Sequence, residues 1–239
     1  MFHHKKYTQF KQVQLEDRTW PNQLISKAPM WCSVDLRDGN QALVNPMSVE
    51  KKTKMFKLLV RLGFKEIEIG FPSASQADFD FTRKLIDEKL IPEDVTVQVL
   101  TQARRELIHR TFESLKGVKR AIVHLYNSTS TVQREQVFRM PKDGILDIAT
   151  QGAKWVREIS MQFPETEWIF QYSPESFTGT ELDDAVAICD AVLFEWKPEK
   201  GREVIVNLPA TVEMSTPNIF ADQVEYFCRH LAQRKDVTI

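Results

Sequence analysis

The stretch WCSVDLRDGNQAL, residues 31–43, runs from a strand-like apolar segment straight into Arg37-Asp38-Gly39-Asn40-Gln41. A dinucleotide-binding sheet follows its first strand with a GxGxxG turn, whose glycines let the backbone approach a pyrophosphate. No such turn follows here, which disfavours that fold. Asp-Gly is a common turn dipeptide. The run is therefore either a tight turn and nothing more, or one wall of an active site in which Gly39 lets the backbone turn closely beneath two charged side chains.

The chain on either side bears on the choice. Strand-like runs fall at 30–36, 65–71, 95–101, 120–126, 167–173 and 203–209, and DVTI (236–239) opens a seventh. Between them lie helical stretches at 48–63, 76–89, 102 to about 114, 145–163, 181–196 and 218–234. In the first of these Ser48 suits an N-cap, Met55, Leu58, Leu59 and Leu62 fall at helical spacing, and Gly63 suits the stop. Strands alternating with helices at this spacing imply a parallel sheet. The expected fold class is α/β, a (β/α)8 TIM barrel present as six βα units and the start of strand 7. Because a barrel closes by pairing its last strand with its first, an incomplete one leaves two open edges. The expectation is a piece of a longer protein, with residues 1–29 an N-terminal extension and 30–239 a partial catalytic barrel.

Composition fits one large globular unit: 239 residues, 42% hydrophobic, 27% charged, net charge −1. Such a balance calls for neither nucleic acid nor an anionic membrane as partner. Cys32, Cys189 and Cys228 form no CxxC pair, each in an apolar context, and read as reduced core thiols of a cytoplasmic protein. The polar N-terminus lacks the apolar core of a signal peptide, and no run approaches the ~18 apolar residues of a membrane span. His3 and His4 are adjacent and read as part of a solvated tail.

In a parallel barrel the chemistry gathers at the C-terminal strand ends. Those ends deliver Arg37 and Asp38, then Leu100, Thr101 and Gln102, then His124, Tyr126, Asn127 and Ser128, then Ser173 and Glu175, then Asn207, Pro209 and Thr211; strand 2 carries Glu66 and Glu68. Each admits a plainer reading. Glu66 and Glu68 could be solvated or paired with lysines, His124 could be a satisfied core histidine, and Glu175 could be an acid at a helix N-terminus. Their convergence favours a site. A carboxylate beside an arginine suggests a divalent cation, Mg²⁺, Mn²⁺ or Zn²⁺, that polarises a carbonyl while the arginine stabilises developing oxyanion charge.

DLRDGNQAL resembles the signature of the metal-dependent Claisen and aldol barrel enzymes, the group of 2-isopropylmalate, homocitrate and citramalate synthases and HMG-CoA lyase. IEIGFPSASQADFDF, HLYNSTS, QYSPESFTGTE and VNLPATVEMSTPN are similar to the long form of the 2-isopropylmalate synthases, from about Lys5 to Ile239. The resemblance implies condensation of acetyl-CoA with 3-methyl-2-oxobutanoate (2-oxoisovalerate) and water, the committed step of leucine biosynthesis, in a homodimer. By that resemblance Asp38 is the metal ligand, Arg37 faces the keto oxygen, and Glu175 holds a metal-bound group or catalytic water. Thr211 binds the keto-acid carboxylate, while Leu100, His124, Tyr126, Ser173, Asn207 and Pro209 shape the pocket around the isopropyl group.

The family's His-x-His metal ligands, its leucine-sensing domain and the acetyl-group base are expected beyond Ile239. The expectation for these residues alone is therefore weak metal binding and no synthase activity. The alternatives are a sister homocitrate, citramalate or lyase reaction, or a non-catalytic remnant.

Overall fold

The computed structural model describes residues 8–199 and 203–239. The expectation for His3 and His4 lies outside the described residues. Seven strands, β1 (Cys32–Ser33), β2 (Glu66–Gly70), β3 (Thr96–Gln102), β4 (Arg120–Ser128), β5 (Glu167–Glu175), β6 (Val204–Val206) and β7 (Val237–Thr238), pair in chain order. Every pairing is parallel. Six helices connect them: α1 (Val49–Leu62), α2 (Gln76–Asp87), α3 (Arg105–Leu115), α4 (Lys142–Ser160), α5 (Leu182–Trp196) and α6 (Pro217–His230). The result is a curled half-barrel sheet with α/β connections, as expected. Among the described residues β1 pairs with β2 alone and β7 with β6 alone.

The two faces of the sheet differ sharply. Side chains alternate along a strand. One set, Ile67, Ile69, Val97, Val99, Val123 and Leu125, joins the helices in a single buried core. The opposite face buries the polar Glu68, Gln98, His124, Gln171 and Ser173 beside the apolar Leu100, Ile122 and Ile169. A parallel sheet covered by helices normally carries apolar runs on both faces, so a polar barrel interior marks this face for chemistry.

Helix α1 starts as expected, with Ser48 Oγ accepting from the Lys51 amide, and stops at Gly63 in the left-handed region, φ 96°. Its core face differs from the expected one. Lys52, Thr53, Phe56 and Leu59 are buried, whereas Leu58 and Leu62 are exposed. Phe56 and Leu59 sit one 3.6-residue turn apart beneath the sheet, and that stripe leaves Leu58 and Leu62 on the outer flank.

Other boundaries shift for local reasons. Strand 1 is far shorter than 30–36, because the chain leaves the sheet at Val34 and winds into one π-helical turn, Asp35–Gly39. Strands 4 and 5 each run two residues further than expected, to Ser128 and Glu175, because they pair with each other over nine residues. Strand 6 is cut to Val204–Val206. Before the barrel begins, Arg18 forks onto Asp222 of α6 at 2.8 and 2.9 Å, and Glu225 accepts the backbone amides of Thr19 and Trp20.

Candidate active site

The π-helical turn buries Leu36 completely and turns Arg37 and Asp38 to the rim. Three amides and one carbonyl lock the turn locally: the N–H groups of Arg37, Asp38 and Gly39 all converge on the Val34 carbonyl. Gly39 is not what permits it. Its φ is not positive, and an added Cβ would meet its nearest neighbours at 3.8 and 3.9 Å, ordinary contact. The next residue of the run, Asn40, braces the following loop by accepting the Met47 amide at 2.7 Å.

Arg37 is held from both sides. Its Nη1 donates to Asp38 Oδ1 at 2.8 Å and its Nε to Glu68 Oε2 at 2.6 Å. Glu68 is fully buried, while the Asp38 side chain is 56% exposed. The other oxygen of Glu68 meets His124 Nδ1 at 2.8 Å and accepts from Gln98 Nε2 at 2.9 Å. On the far side of the ring, His124 Nε2 lies 2.7 Å from Ser173 Oγ, and Asn207 Nδ2 donates to the same hydroxyl at 2.9 Å. One hydrogen-bonded chain thus crosses the barrel interior from the turn after β1 to the end of β6. A self-consistent proton arrangement has His124 donating from Nδ1 to Glu68 and accepting the Ser173 hydroxyl proton at Nε2.

This network brings together Arg37, Asp38, His124, Ser173 and Asn207 of the expected set. Tyr126 and Leu100 stand on the same inner face, Tyr126 half-buried with its ring edge against Phe71, centroids 6.1 Å apart. Glu175 ends β5 rather than opening a helix, and its Oε2 accepts from Ser128 Oγ at 2.8 Å. Thr211 is exposed and accepts the Ser176 amide at 3.1 Å, and the half-buried Pro209 lies between it and Asn207 in the chain.

Glu68, which the sequence offered as a candidate without a role, is the buried centre of this network, and Gln98 beside it was not expected in the site. The signal for Glu68 was the alternation Glu66-Ile67-Glu68-Ile69, acids on one face of an otherwise apolar strand. Burial pushes the Glu68 carboxyl up, but His124, then Arg37 and Gln98, outweigh it and hold it at about 2. Cys32 is not in the apolar context expected: its Sγ lies 3.8 Å from Gln98 Oε1, and burial with the charges of Glu68 and Glu66 pushes the thiol up to about 12. Burial and Glu175 raise the Tyr126 hydroxyl.

A carboxylate oxygen open to solvent beside a planar guanidinium can bind a hard cation and an oxyanion side by side. Asp38 fits a divalent cation as one hard oxygen donor. Among the described residues no group of three or more His, Cys, Asp or Glu side chains is arranged to hold a metal ion.

Residues 28–239 match the HMGL-like family model. The chain is 59% identical over 238 residues to a 2-isopropylmalate synthase of Clostridium acetobutylicum, covering 99% of this chain and 43% of that one. It is 60% identical over 237 residues to a 2-isopropylmalate synthase of Kineococcus radiotolerans, covering 98% of this chain and 41% of that one. It therefore spans less than half the length of the curated relatives it matches. Among solved structures, an HMG-CoA lyase of Bacillus subtilis superposes with a TM-score of 0.56 at 20% identity, over 86% of this chain and 65% of that one. An HMG-CoA lyase of Acinetobacter baumannii, in complex with coenzyme A and 3-methylmalate, gives 0.57 at 18% identity, over 86% and 64%. At those identities the likeness concerns the fold.

Proposed function

The chain belongs to the HMGL-like family, and from that premise we propose that residues 30–239 form part of the catalytic barrel of a 2-isopropylmalate synthase, with 1–29 as its N-terminal extension. The reaction joins the methyl carbon of acetyl-CoA to C2 of 3-methyl-2-oxobutanoate. The keto oxygen becomes the tertiary hydroxyl, and water cleaves the thioester to release CoA and 2-isopropylmalate. The step is an acyl transfer at the entry to leucine biosynthesis.

The observation that carries this reading is Arg37 fixed at the rim by a buried carboxylate, with Asp38 beside it. A guanidinium that cannot swing away is a preorganised donor for the alkoxide forming at C2. Asp38 would supply one carboxylate oxygen to a divalent cation, Mg²⁺, Mn²⁺ or Zn²⁺, which when bound polarises the 2-oxo group. Glu175, steadied by Ser128, would orient the hydrolytic water. Thr211 would take the keto-acid carboxylate. Leu100, His124, Tyr126, Ser173, Asn207 and Pro209 would enclose the branched side chain. The reading extends to a cytoplasmic homodimer.

The test is keto-acid-dependent CoA release from acetyl-CoA, followed with a thiol reagent on the protein at its native length with Mg²⁺ or Mn²⁺. The expected result is fastest release with 3-methyl-2-oxobutanoate. Preference for 2-oxoglutarate or pyruvate would reassign the substrate to a sister reaction, and release with none of the three would overturn the catalytic reading.

A further inference from the structure

Strand β2 does not run regularly along β3. Glu68 stands opposite Gln98, but Gly70 stands opposite Val99, so Ile69 is the additional residue of a bulge. A bulge leaves peptide groups outside the ladder and re-aims the side chains around it. Here the Ile69 carbonyl is captured by Lys52 Nζ at 3.2 Å. Lys52 comes from α1 and is 1% exposed.

The ammonium is neutralised by Asp78 Oδ1 at 2.5 Å, from the first turn of α2. The other oxygen of Asp78 accepts the Phe71 amide at 2.8 Å. Lys52 also lies over the Phe81 ring, 5.4 Å from its centroid. Gly70 completes the arrangement, since an added Cβ would sit 2.8 Å from both Cγ and Oδ2 of Asp78. One ion pair, its lysine fully buried and its aspartate partly so, therefore grips the backbone on both sides of Gly70 and ties it to two helices.

Stability alone is a poor account of such a pair. Replacing a buried ion pair by well-packed apolar residues is often neutral or stabilising. The distinctive consequence is positional. Immediately before the bulge residue stands Glu68, which anchors Arg37; two residues after it stands Phe71, whose ring edge meets Tyr126.

We propose that Lys52 and Asp78 are positioning residues that hold the β2 bulge and so set the Glu68–Arg37 contact and the Phe71–Tyr126 wall of the site. The proposal rests on the condensation reading for its kinetic consequence and on the fold alone for its structural one. A displacement of about 1 Å at a catalytic group can cost roughly 100-fold in rate.

The test uses the native-length protein with Lys52→Met, Asp78→Asn and Arg37→Lys. Lys52→Met is expected to lower kcat about 10- to 100-fold with KM for the keto acid changed less than about 3-fold. Because Lys52 acts through Arg37, the Lys52→Met/Arg37→Lys double variant should be little slower than Arg37→Lys alone. A purely structural lysine would give losses that multiply. Hydrogen exchange of the Phe71 amide, read on a peptide ending at that residue, should quicken at least about tenfold in Lys52→Met while β4 peptides stay protected.

If Lys52→Met does not fold, Asp78→Asn carries both readouts, since it keeps an acceptor for the Phe71 amide and removes only the charge. Unchanged kcat, multiplying losses, or unchanged Phe71 exchange would overturn the proposal. A wild-type protein without CoA release would instead overturn the condensation reading, and the exchange experiment would still decide whether the pair holds the bulge.

Discussion

Arg37 and Glu68 lie 31 residues apart in the chain and meet through a 2.6 Å bond from Nε to Oε2. The glutamate is fully buried and the arginine partly so, 16% exposed. Arg37 thus presents its remaining N–H groups to the rim from a fixed base. Replacing it with lysine keeps the charge and loses the planar fork. Arg37→Lys is expected to lower kcat by about 10²- to 10³-fold, measured as CoA release at saturating keto acid, and to cost about 1–3 kcal/mol of stability as the buried Glu68 carboxylate loses its Nε donor.

Glu68 couples the site to acid stability. Its carboxyl titrates at about 2 in the folded chain, against an ordinary value of 4.5. A depressed folded value contributes stability that is complete above pH 4.5 and is lost as pH falls toward 2. The contribution is on the order of 3 kcal/mol. Urea midpoints between pH 6 and 2 should therefore fall more steeply for the wild-type chain than for Glu68→Gln, with the two curves converging at the acid end. Parallel curves would show that this carboxylate is not the one lost.

Ser173 closes the far end of the same network. Ser173→Ala leaves His124 Nε2 and Asn207 Nδ2 without the hydroxyl that now joins them. The expected loss is about 1–3 kcal/mol, read from equilibrium urea unfolding. A smaller change would mean that water replaces the hydroxyl.

On the proposed role of Glu175, Ser128 bears on catalysis more than on folding. Its half-buried hydroxyl donates to Glu175 Oε2 at 2.8 Å. Ser128→Ala is expected to cost about 1 kcal/mol or less of stability while lowering kcat several-fold, because the carboxylate loses its orientation. Equal kcat in the two proteins would remove Glu175 orientation from the mechanism.

Helix α4 presses on the sheet through Gly152. An added Cβ would lie 2.8 Å from Ala103 Cβ and 3.3 Å from Leu125 Cδ2. Gly152→Ala should gain up to about 1 kcal/mol of helix propensity and lose about 1–3 kcal/mol to overpacking. A lowered melting temperature is expected by circular dichroism, and a raised one would show that the helix can shift outward.

The order of the elements was legible in the sequence because its cues are local. Period-2 apolar runs, period-3.6 stretches, Ser48 before α1 and Gly63 after it each act within a few residues, and strand–helix alternation leaves few arrangements besides a parallel sheet. The rim residues were legible for the same reason: position at a strand end is a local property, and the Arg37-Asp38 turn stands at one. What the chain does with its buried charges was not legible. Nothing in the sequence singled out Lys52, and Glu68 read equally as solvated, lysine-paired or part of the site, since hydropathy assigns a lysine or glutamate to water unless it is paired. Their partners, Asp78 for one and Arg37 and His124 for the other, come from 26 to 56 residues away. Only the packing of helix on sheet brings such groups within hydrogen-bond reach. The sequence by itself determined the order of strands and helices, and the tertiary structure decided where the strands end, which of the groups delivered to the rim are fixed and what fixes them, because strand pairing and the burial of a charge both require partners that the fold alone can gather.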